Sequence, residues 1–555
     1  MPEMADIIIT NGRLLTMDPL NPKAEALAIQ NDRILAVGAA DEIAELRHPG
    51  TRVFDAAGNT VLPGFNESHI HIFGGSVELT HLSLFGLKGE EALRKAIVEH
   101  AASTPLDNLI IANSADYSLL GDRSVDRHVL DSILPDRPLA LMSPDHHTVW
   151  ANTRALRTAG LLEGRVLPPG NEIVMGPDDL ATGELREHAA FDAVIALGSS
   201  GGRERLGLST GGEPAPSPDA LEMARDREAL KKGLAHLAKH GITSFQNMDG
   251  NFYQLKLLKD LQLSGELTVR ARIPFLYADG DVIEAMDKAE YMAAAYNSEW
   301  LSAGTVKVFM DGVLDSHTAL MADDYADLAG WRGEARLDET TFNRICIEAD
   351  RRGLQMAVHA IGDGAVARAL DGYEAAAAAN GPRDSRHRIE HIEIIRSQDF
   401  DRFKRLRVLA SMQPPHPPGQ MGLPLEPTIS RIGKAKWPLA YAWRTFRDAG
   451  VDMIFSSDWP VSPVNPLQSI HSAMTRKPWA EGLPDNRQSL AETLDAYTVR
   501  AAFAEFRDSW KGKLRAGYAA DVVILDSDLE DTPTEIIDQI SPIATICAGR
   551  VSFET

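Results

Sequence analysis

The sequence predicts an α/β chain with a (β/α)8 TIM barrel, a subdomain inserted in that barrel, and a small β-sandwich domain built from both chain termini. Three observations predict this architecture. Candidate strands alternate with helix-period sequence through the middle of the chain, short strands and turns fill both ends, and one long gap interrupts the alternation. Together they describe two domains, one of which carries an insertion.

Composition is ordinary for a globular protein and limits the partners. Hydrophobic residues make up 44% and charged residues 24% of the 555 residues, and the net charge is −23. An acidic surface argues against nucleic acid and anionic membranes as partners. We also expect a small-molecule substrate and a homodimer, neither of which follows from the charge. Cys346 and Cys547 form no disulfide framework, the N-terminus lacks a secretory signal, and no apolar run approaches about 20 residues. These features favour the cytoplasm.

Both ends of the chain have the pattern of short strands separated by turns. Within residues 6–57, Asn11-Gly12 is a hairpin signal between two apolar runs, and residues 521–525 and 544–553 are apolar runs near the other end. Neither set is large enough to bury a core alone. We therefore expect one composite β-sandwich domain with the bounds 1–60 and 512–555.

The middle of the chain, residues 61–511, has the pattern of repeated βα units. Most candidate strands are separated by roughly 20–50 residues with helix-period sequence, such as 365–379. Eight such units predict a (β/α)8 barrel. The candidate strands are the one that ends at His71 and then 242–246, 270–277, 305–310, 355–360, 388–392, 408–413 and 453–457.

The stretch between His71 and Gly241 is too long for one crossover helix. An inserted subdomain at about 112–228 accounts for it, and the Gly-, Ser- and Pro-rich residues 198–218 predict a loop that could act as a lid. Residues 207–211 match the G-x-S-x-G motif of serine hydrolases, but that motif needs a strand before it and a helix after it. We interpret this match as chance.

Two histidines one residue apart end the first barrel strand. In an extended strand, His69 and His71 point to the same face, an arrangement that suits a metal ion better than a core. The alternative is a chance His-x-His on a solvated strand. The other strand ends decide between these two interpretations.

Further ligand-type residues stand at the ends of later strands. The C-terminal strand ends of a barrel meet at one mouth, and imidazole and carboxylate groups suit zinc and similar ions. Each residue alone has another interpretation: a structural histidine, a paired lysine, or an aspartate that caps a helix before Trp459-Pro460. Their joint occurrence in strand order favours a metal cage made of Lys307, His359, His391 and Asp458.

These residues lie in motifs that resemble a known family. The motifs are VLPGFNESHIH, SPDHHTVWANTRAL, KVFMDGVLDSHTAL, HAIGDGAV, RIEHIEII, ASMQPPH, SSDWPVSPVNPL and GKLRAGYAADVVILD. The chain resembles the amidohydrolase superfamily along essentially its whole length. Within that superfamily it is similar to amidohydrolase family 3, the YtcJ-like proteins that include N-substituted formamide deformylase.

The resemblance implies a site of one or two divalent ions, with Zn2+ preferred. It implies that His69 and His71 bind one ion with Asp458, that His359 and His391 bind a second, and that Lys307 bridges both as an N6-carboxylysine. Asp458, His359 and His391 are the expected catalytic residues. The expected substrate contacts are His146, His147, Trp150, Asn152, Asp311 and His317.

The sequence departs from the family pattern at two places. Glu67 stands where relatives usually carry Asp, and Asp315 and His317 stand where many relatives have Gly-Ser-Arg. For residues 146–152, the alternative to a substrate contact is packing of the insertion. For His317, the alternative is an ordinary loop histidine.

The implied reaction is hydrolysis of an amide-type C–N bond in an N-acyl or N-formyl amine by metal-activated water. Three alternatives stay open: a deaminase, a carbamate or ester hydrolase on the same centre, and a non-catalytic metal-bound scaffold.

Overall fold

The structure is a computed structural model that describes residues 4–104, 109–121, 123–144, 148–167 and 171–555. It is an α/β fold with two compact units. The larger unit comprises Met1–His71, Leu208–Gly212 and Leu234–Thr555, and the smaller comprises Ile72–Gly207 and Glu213–Gly233. The segment that interrupts the predicted βα repeats is thus longer than the insertion expected at about 112–228.

Two parallel sheets supply the strands that carry the predicted ligands. Most neighbouring strands in these sheets are joined by helical crossovers, the usual arrangement for buried parallel strands, while the chain between Phe65–Ile70 and Ile242–Asn247 contains the smaller unit. The first sheet has the order Leu301–Ser302, Arg270–Arg272, Ile242–Asn247, Phe65–Ile70. The second has the order Phe275–Leu276, Thr305–Phe309, Gln355–Ala360, Arg388–His391, Leu409–Met412, Met453–Phe455.

The strand predicted at 270–277 is interrupted. Arg270–Arg272 belongs to the first sheet and Phe275–Leu276 to the second. Pro274 lies between them, and proline has no N–H to donate to a sheet ladder. The single predicted strand therefore becomes two short ones.

The register of the parallel strands brings the predicted ligands to one level. Phe309 pairs with His359, and Ala360 pairs with His391. The first and last strands also meet at their ends. Ile70 forms a parallel bridge with Trp459, and the N–H of Asp458 donates to the carbonyl of His69 at 2.9 Å.

Strands from both chain ends pair with each other. Val522–Leu525 is antiparallel to Thr60–Pro63. One sheet has the order Arg33–Gly38, Ala26–Gln30, Ile7–Thr10, Arg52–Asp55, and the other Arg550–Glu554, Pro542–Cys547, Val522–Leu525, Thr60–Pro63, Arg13–Leu15, Lys23–Ala24. The two sheets share a buried apolar cluster that includes Ile7, Leu27, Ile29, Val61, Val522, Ile524 and Ile546.

The helices of the larger unit pack their apolar faces inward. Glu339–Arg351 begins at Asp338, whose side chain accepts from the Thr341 N–H, and it packs against Asp363–Asn380. Gly372 permits this approach, because a Cβ there would lie 2.4 Å from Phe342. The other helices are Ala40–Ala44, Phe252–Ser264, Met286–Ala295, Phe400–Leu406, Thr428–Ile432, Trp443–Asp448, Pro466–Thr475, Leu490–Tyr497 and Val499–Ala504.

The smaller unit has its own sheet and its own apolar clusters. The sheet has the order Glu172–Met175, Ala181–Arg186, Thr148–Ala151, Leu139–Met142, Ile110–Asn113, Leu82–Ser83. Its helices include Ile72–Glu78, Glu90–Ser103, Arg127–Ile133, Thr153–Thr158 and His188–Ile195, and the helix Ala220–Lys239 leads out of it.

The residues predicted as a loop at 198–218 contain the helix Arg203–Ser209. Ser209 is the last residue of this helix and does not follow a strand, so the G-x-S-x-G match lacks the elbow that a serine nucleophile needs. No helix in the described parts of the chain is both long and apolar enough to cross a membrane.

Candidate metal centre

His69, His71 and Asp458 form a compact group of ligand atoms. Asp458 Oδ1 lies 3.3 Å from His69 Nε2 and 3.2 Å from His71 Nε2. Asp458 has a backbone φ of 62°, in the left-handed region that costs a non-glycine residue about 1 kcal/mol or more. This sharp turn, three residues after the end of the strand Met453–Phe455, places the carboxylate beside the two histidines.

The charges around this group are unusual. Burial opposes ionisation of Asp458, yet the neighbouring His69 and His71 hold the pKa of its carboxyl well below the usual range. Burial lowers the pKa of His69 to about 4. Burial alone would also lower the pKa of His71, but Asp249 and Asp458 outweigh it and raise that pKa to about 9. Strongly shifted pKa values in one buried cluster are typical of a functional site.

The second ring nitrogen of three histidines is held by another side chain. Nδ1 of His69 lies 2.8 Å from Glu390 Oε2, and Nδ1 of His71 lies 2.9 Å from Asp249 Oδ1. Nδ1 of His391 lies 2.9 Å from Gln413 Oε1. Metal-binding histidines use such partners to fix the ring and its tautomer.

A second group of possible ligand atoms contains His391, His416 and Asp458. The rings of His391 and His416 are nearly parallel, with centroids 6.0 Å apart. His391 has a φ of 75°, so its strand end is also turned sharply. His416 is a site residue that the sequence reasoning did not identify, although it lies in the ASMQPPH motif.

Lys307 and His359 lie beside these residues, but His359 belongs to neither group of possible ligand atoms. The Lys307 side chain is fully buried, and its ammonium group lies 4.7 Å from the centroid of the Phe309 ring. Burial lowers the pKa of Lys307 to about 8. The His359 ring lies 4.5 Å from that of His391, but its Nε2 is 3.2 Å from the Gly312 carbonyl.

These donors fit a divalent cation. Among the described residues, Lys307 Nζ, His416 Nε2 and Asp458 Oδ1 are buried and have no hydrogen-bond partner. Buried polar atoms in folded proteins are almost always satisfied, so three unsatisfied atoms in one cluster fit a site that binds a ligand. Imidazole and carboxylate are the donor types that zinc and related ions prefer.

The predicted substrate contacts in the smaller unit have structural roles where they are described. Asn152 is fully buried: its side-chain oxygen accepts from the N–H groups of Leu139 and Ala155, and its amide donates to the carbonyls of Leu134 and Arg137. Its hydrogen-bonding capacity is therefore used within the unit.

Trp150 is buried in the apolar cluster between the sheet and helices of the smaller unit, with its ring edge-on to Tyr117. This position agrees with packing, the alternative that the sequence left open, and the substrate contact stays a prediction. His146 and His147 lie outside the described residues.

Asp311 and His317 follow the strand Thr305–Phe309. Asp311 is buried, and its carboxylate accepts from the N–H groups of Leu320, Ile361 and Gly362 at 2.9–3.1 Å. It lies 3.7 Å from His359 Nε2, so it organises backbone around a predicted ligand rather than facing open space.

His317 Nε2 lies 3.0 Å from both carboxylate oxygens of Asp327. The His317 side chain is partly exposed, at 22% of its surface, and its ring lies edge-on to Tyr325.

Three partners of the histidines were missed by the sequence reasoning. Glu390 directly precedes His391, Asp249 lies two residues after the strand Ile242–Asn247, and Gln413 follows Leu409–Met412. Each is a polar residue in or just after an apolar parallel strand. That position was the signal by which they could have been found.

Comparisons with known proteins agree with this site. A family model described as the amidohydrolase family matches residues 52–553. The putative amidohydrolase YtcJ of Bacillus subtilis is 26% identical over 98% of this chain and 98% of its own. The N-substituted formamide deformylase of Arthrobacter pascens is 24% identical over 100% of this chain and 99% of its own. Both relatives confirm the resemblance stated from the motifs.

A solved structure shares the fold. It is an uncharacterized metal-dependent hydrolase from Pyrococcus furiosus, 27% identical, with a TM-score of 0.70 over 93% of this chain and 97% of that one. The family match spans most of the sequence and includes every residue of the candidate centre. The chain belongs to the amidohydrolase family, and it is a metal-dependent hydrolase that acts on carbon–nitrogen bonds.

Proposed function

We propose that this protein hydrolyses the amide bond of a small N-acyl or N-formyl amine. The observation that carries the proposal is the position of Asp458 Oδ1, a buried carboxylate oxygen that accepts no hydrogen bond and lies 3.2–3.3 Å from two imidazole nitrogens. The activity named for the deformylase of Arthrobacter pascens supports the choice of bond.

We infer that the two parallel sheets are arcs of one (β/α)8 barrel. The bridge between Ile70 and Trp459 supports this inference, because it links the first strand of one sheet to the segment after the last strand of the other. The ligands then stand at the C-terminal mouth, where barrel active sites lie. The apolar cluster shared by the two terminal sheets supports the predicted β-sandwich.

His69, His71 and Asp458 would hold a first divalent ion, and zinc suits this donor set. His391 and His359 would hold a second ion with Lys307 between the two. The lowered pKa of Lys307 increases the fraction of neutral amine, which would add CO2 with release of one proton to give N6-carboxylysine. When bound, such ions polarise a carbonyl oxygen and make water a stronger acid.

The chain's own groups would then move one proton. In the proposed reaction a water oxygen forms a bond to the acyl carbon, and the C–N bond breaks. The Asp458 carboxylate orients this water, accepts its proton and passes it to the departing amine nitrogen. The adjacent imidazoles of His359 and His391 would act through the ion that they hold, by placing its positive charge beside the carbonyl oxygen.

The first experiment is elemental analysis of protein purified without chelator, together with hydrolysis assays on N-formyl and N-acetyl amines. We expect one or two divalent ions per chain and release of a carboxylic acid and an amine. Release of ammonia from a ring, or cleavage of esters alone, would favour the other reactions of this centre. Absence of metal, with no effect of chelators on activity, would refute the proposal.

A matched pair of variants distinguishes loss of the metal centre from general destabilisation of the protein. His71→Asn removes one ligand atom of the first group, while His48→Asn removes a histidine outside that group, whose Nδ1 accepts from the Gly50 N–H. We expect loss of bound metal and of turnover in the first variant alone.

A further inference from the structure

A fully buried ion pair contacts His69, one of the candidate ligands of the metal centre. Arg388 and Glu390 have no solvent-exposed surface, and the Arg388 guanidinium donates to both carboxylate oxygens of Glu390. The same carboxylate lies 2.8 Å from Nδ1 of His69 through Oε2. The chain from Arg388 through Glu390 to His69 is thus continuous.

Arg388 also joins neighbouring strands beneath the site. Its Nη2 donates to the Ser68 carbonyl at 2.8 Å and to Ser411 Oγ at 2.8 Å, and its Nη1 donates to Gln246 Oε1 at 2.6 Å. Ser68 directly precedes His69. The guanidinium therefore holds both the backbone next to this ligand and the carboxylate that contacts its ring.

The three histidine partners differ in how firmly they are held. Asp249 accepts from the neutral amides of Asn247 and Gln254, and Gln413 is itself neutral. Glu390 alone is locked by a guanidinium in a two-point, charge-assisted contact, which fixes its orientation. The fixed carboxylate of Glu390 keeps the ring proton of His69 on Nδ1. The Nε2 of His69 then has its lone pair directed toward Asp458, at the candidate metal site.

We propose that Arg388 and Glu390 are positioning residues that hold His69 in its ligand tautomer and thereby set the metal affinity of the His69–His71–Asp458 group. This inference rests on the metal site of the proposed function. It assigns the pair a role in metal binding beyond the stability of the buried core.

The test measures Zn2+ affinity of the full-length protein by competition with a chromophoric chelator, and the visible spectrum of the Co2+-loaded protein. In Glu390→Gln an amide replaces the carboxylate, and its NH2 group must face either the Arg388 donors or His69. We expect affinity to fall about 10- to 100-fold and the Co2+ spectrum to change.

Glu390→Gln leaves Arg388 buried without its counter-charge and could prevent folding. The double variant Arg388→Met with Glu390→Leu removes both charges and keeps an apolar core, and it should show the same loss of affinity. Asp521→Asn is the matched control, because it breaks a comparably buried pair with Arg270 in the same unit, apart from the candidate ligands. It should leave Zn2+ affinity and the Co2+ spectrum unchanged.

Unchanged affinity in both Glu390 variants would overturn the inference while leaving the metal site intact. Equal losses in the Asp521→Asn protein would also overturn it, because the effect would then be general destabilisation. A wild-type protein that binds no metal would instead refute the proposed function itself.

Discussion

Asp249 Oδ1 lies 2.9 Å from Nδ1 of His71, although the two residues are 178 positions apart in the sequence. Asn247 and Gln254 donate to the same carboxylate and fix it in place. The His71 ring therefore contacts Asp249 through Nδ1 and Asp458 through Nε2. Its ring has one orientation, with Nε2 turned to the centre.

Replacing Asp249 by Asn should weaken metal binding. We expect a loss of about 10- to 100-fold in Zn2+ affinity, because an amide can present its NH2 group to the ring and favour the wrong tautomer. Equilibrium competition with a chelator measures this. Asp260→Asn, at a surface residue that pairs with Lys256, is the control. Equal affinity in the wild type and Asp249→Asn would show that His71 needs no such partner.

His416→Asn tests the residue that the sequence did not identify. His416 is not part of the His69–His71–Asp458 group, so we expect one tightly bound ion to remain. We expect kcat to fall about 100-fold, a magnitude typical for the loss of one oriented polar group beside the reacting atoms. Metal analysis and steady-state kinetics on the same preparation measure both. Wild-type kcat would contradict a role for His416 in the reaction.

Asn152→Ala tests whether this residue is structural. The variant removes four buried hydrogen bonds within the smaller unit. It should lower the free energy of unfolding by about 1–3 kcal/mol without changing KM. Urea denaturation and steady-state kinetics of the folded fraction measure these. A large rise in KM, with stability unchanged, would restore the predicted substrate contact.

Glu492 should make stability depend on acid pH. Hydrogen bonds from Arg444 at 2.9 Å, with the Ser489 capping box, lower the pKa of Glu492 to about 2 from the model-peptide value of 4.5. Because the folded-state pKa is depressed, the carboxylate stabilises the fold above pH 4.5, and this stability is lost as pH falls toward 2.

The measurement compares the urea midpoint of the wild type with that of Glu492→Gln between pH 7 and pH 3.5. The wild type should have the higher midpoint at pH 7, and the difference should shrink below about pH 4.5. A difference that stays constant over this range would exclude Glu492 as the titrating group.

Local sequence was sufficient for the strand ends. His69, His71, Lys307, His359, His391 and Asp458 lie in or beside parallel strands where apolar runs break off, and that signal needs no tertiary information. The interruption at Pro274 was equally visible in principle, since proline cannot donate to a ladder. The prediction of one continuous strand at 270–277 was wrong. It rested on the apolar residues of this segment and did not take account of the N–H that Pro274 lacks.

Contacts between residues that are separated in the sequence could not be predicted from local sequence. Asn152 was expected at a substrate, but which of its hydrogen-bond partners it uses depends on how Leu134, Arg137 and Leu139 fold around it. The same holds for the helix Arg203–Ser209, which forms in a stretch whose Gly, Ser and Pro content predicted a loop.

The sequence by itself determined the type of chemistry, because motif residues and strand order are local and their donor atoms suit divalent ions. Only the tertiary structure decided which donor atoms are left to bind a metal ion. The carboxylates of Glu390 and Asp249 approach His69 and His71 from other strands, and Asp458 is turned into the site at a φ of 62°. Hydrogen bonds at 2.8–2.9 Å are set by packing over hundreds of residues, and spacing along the chain does not encode them.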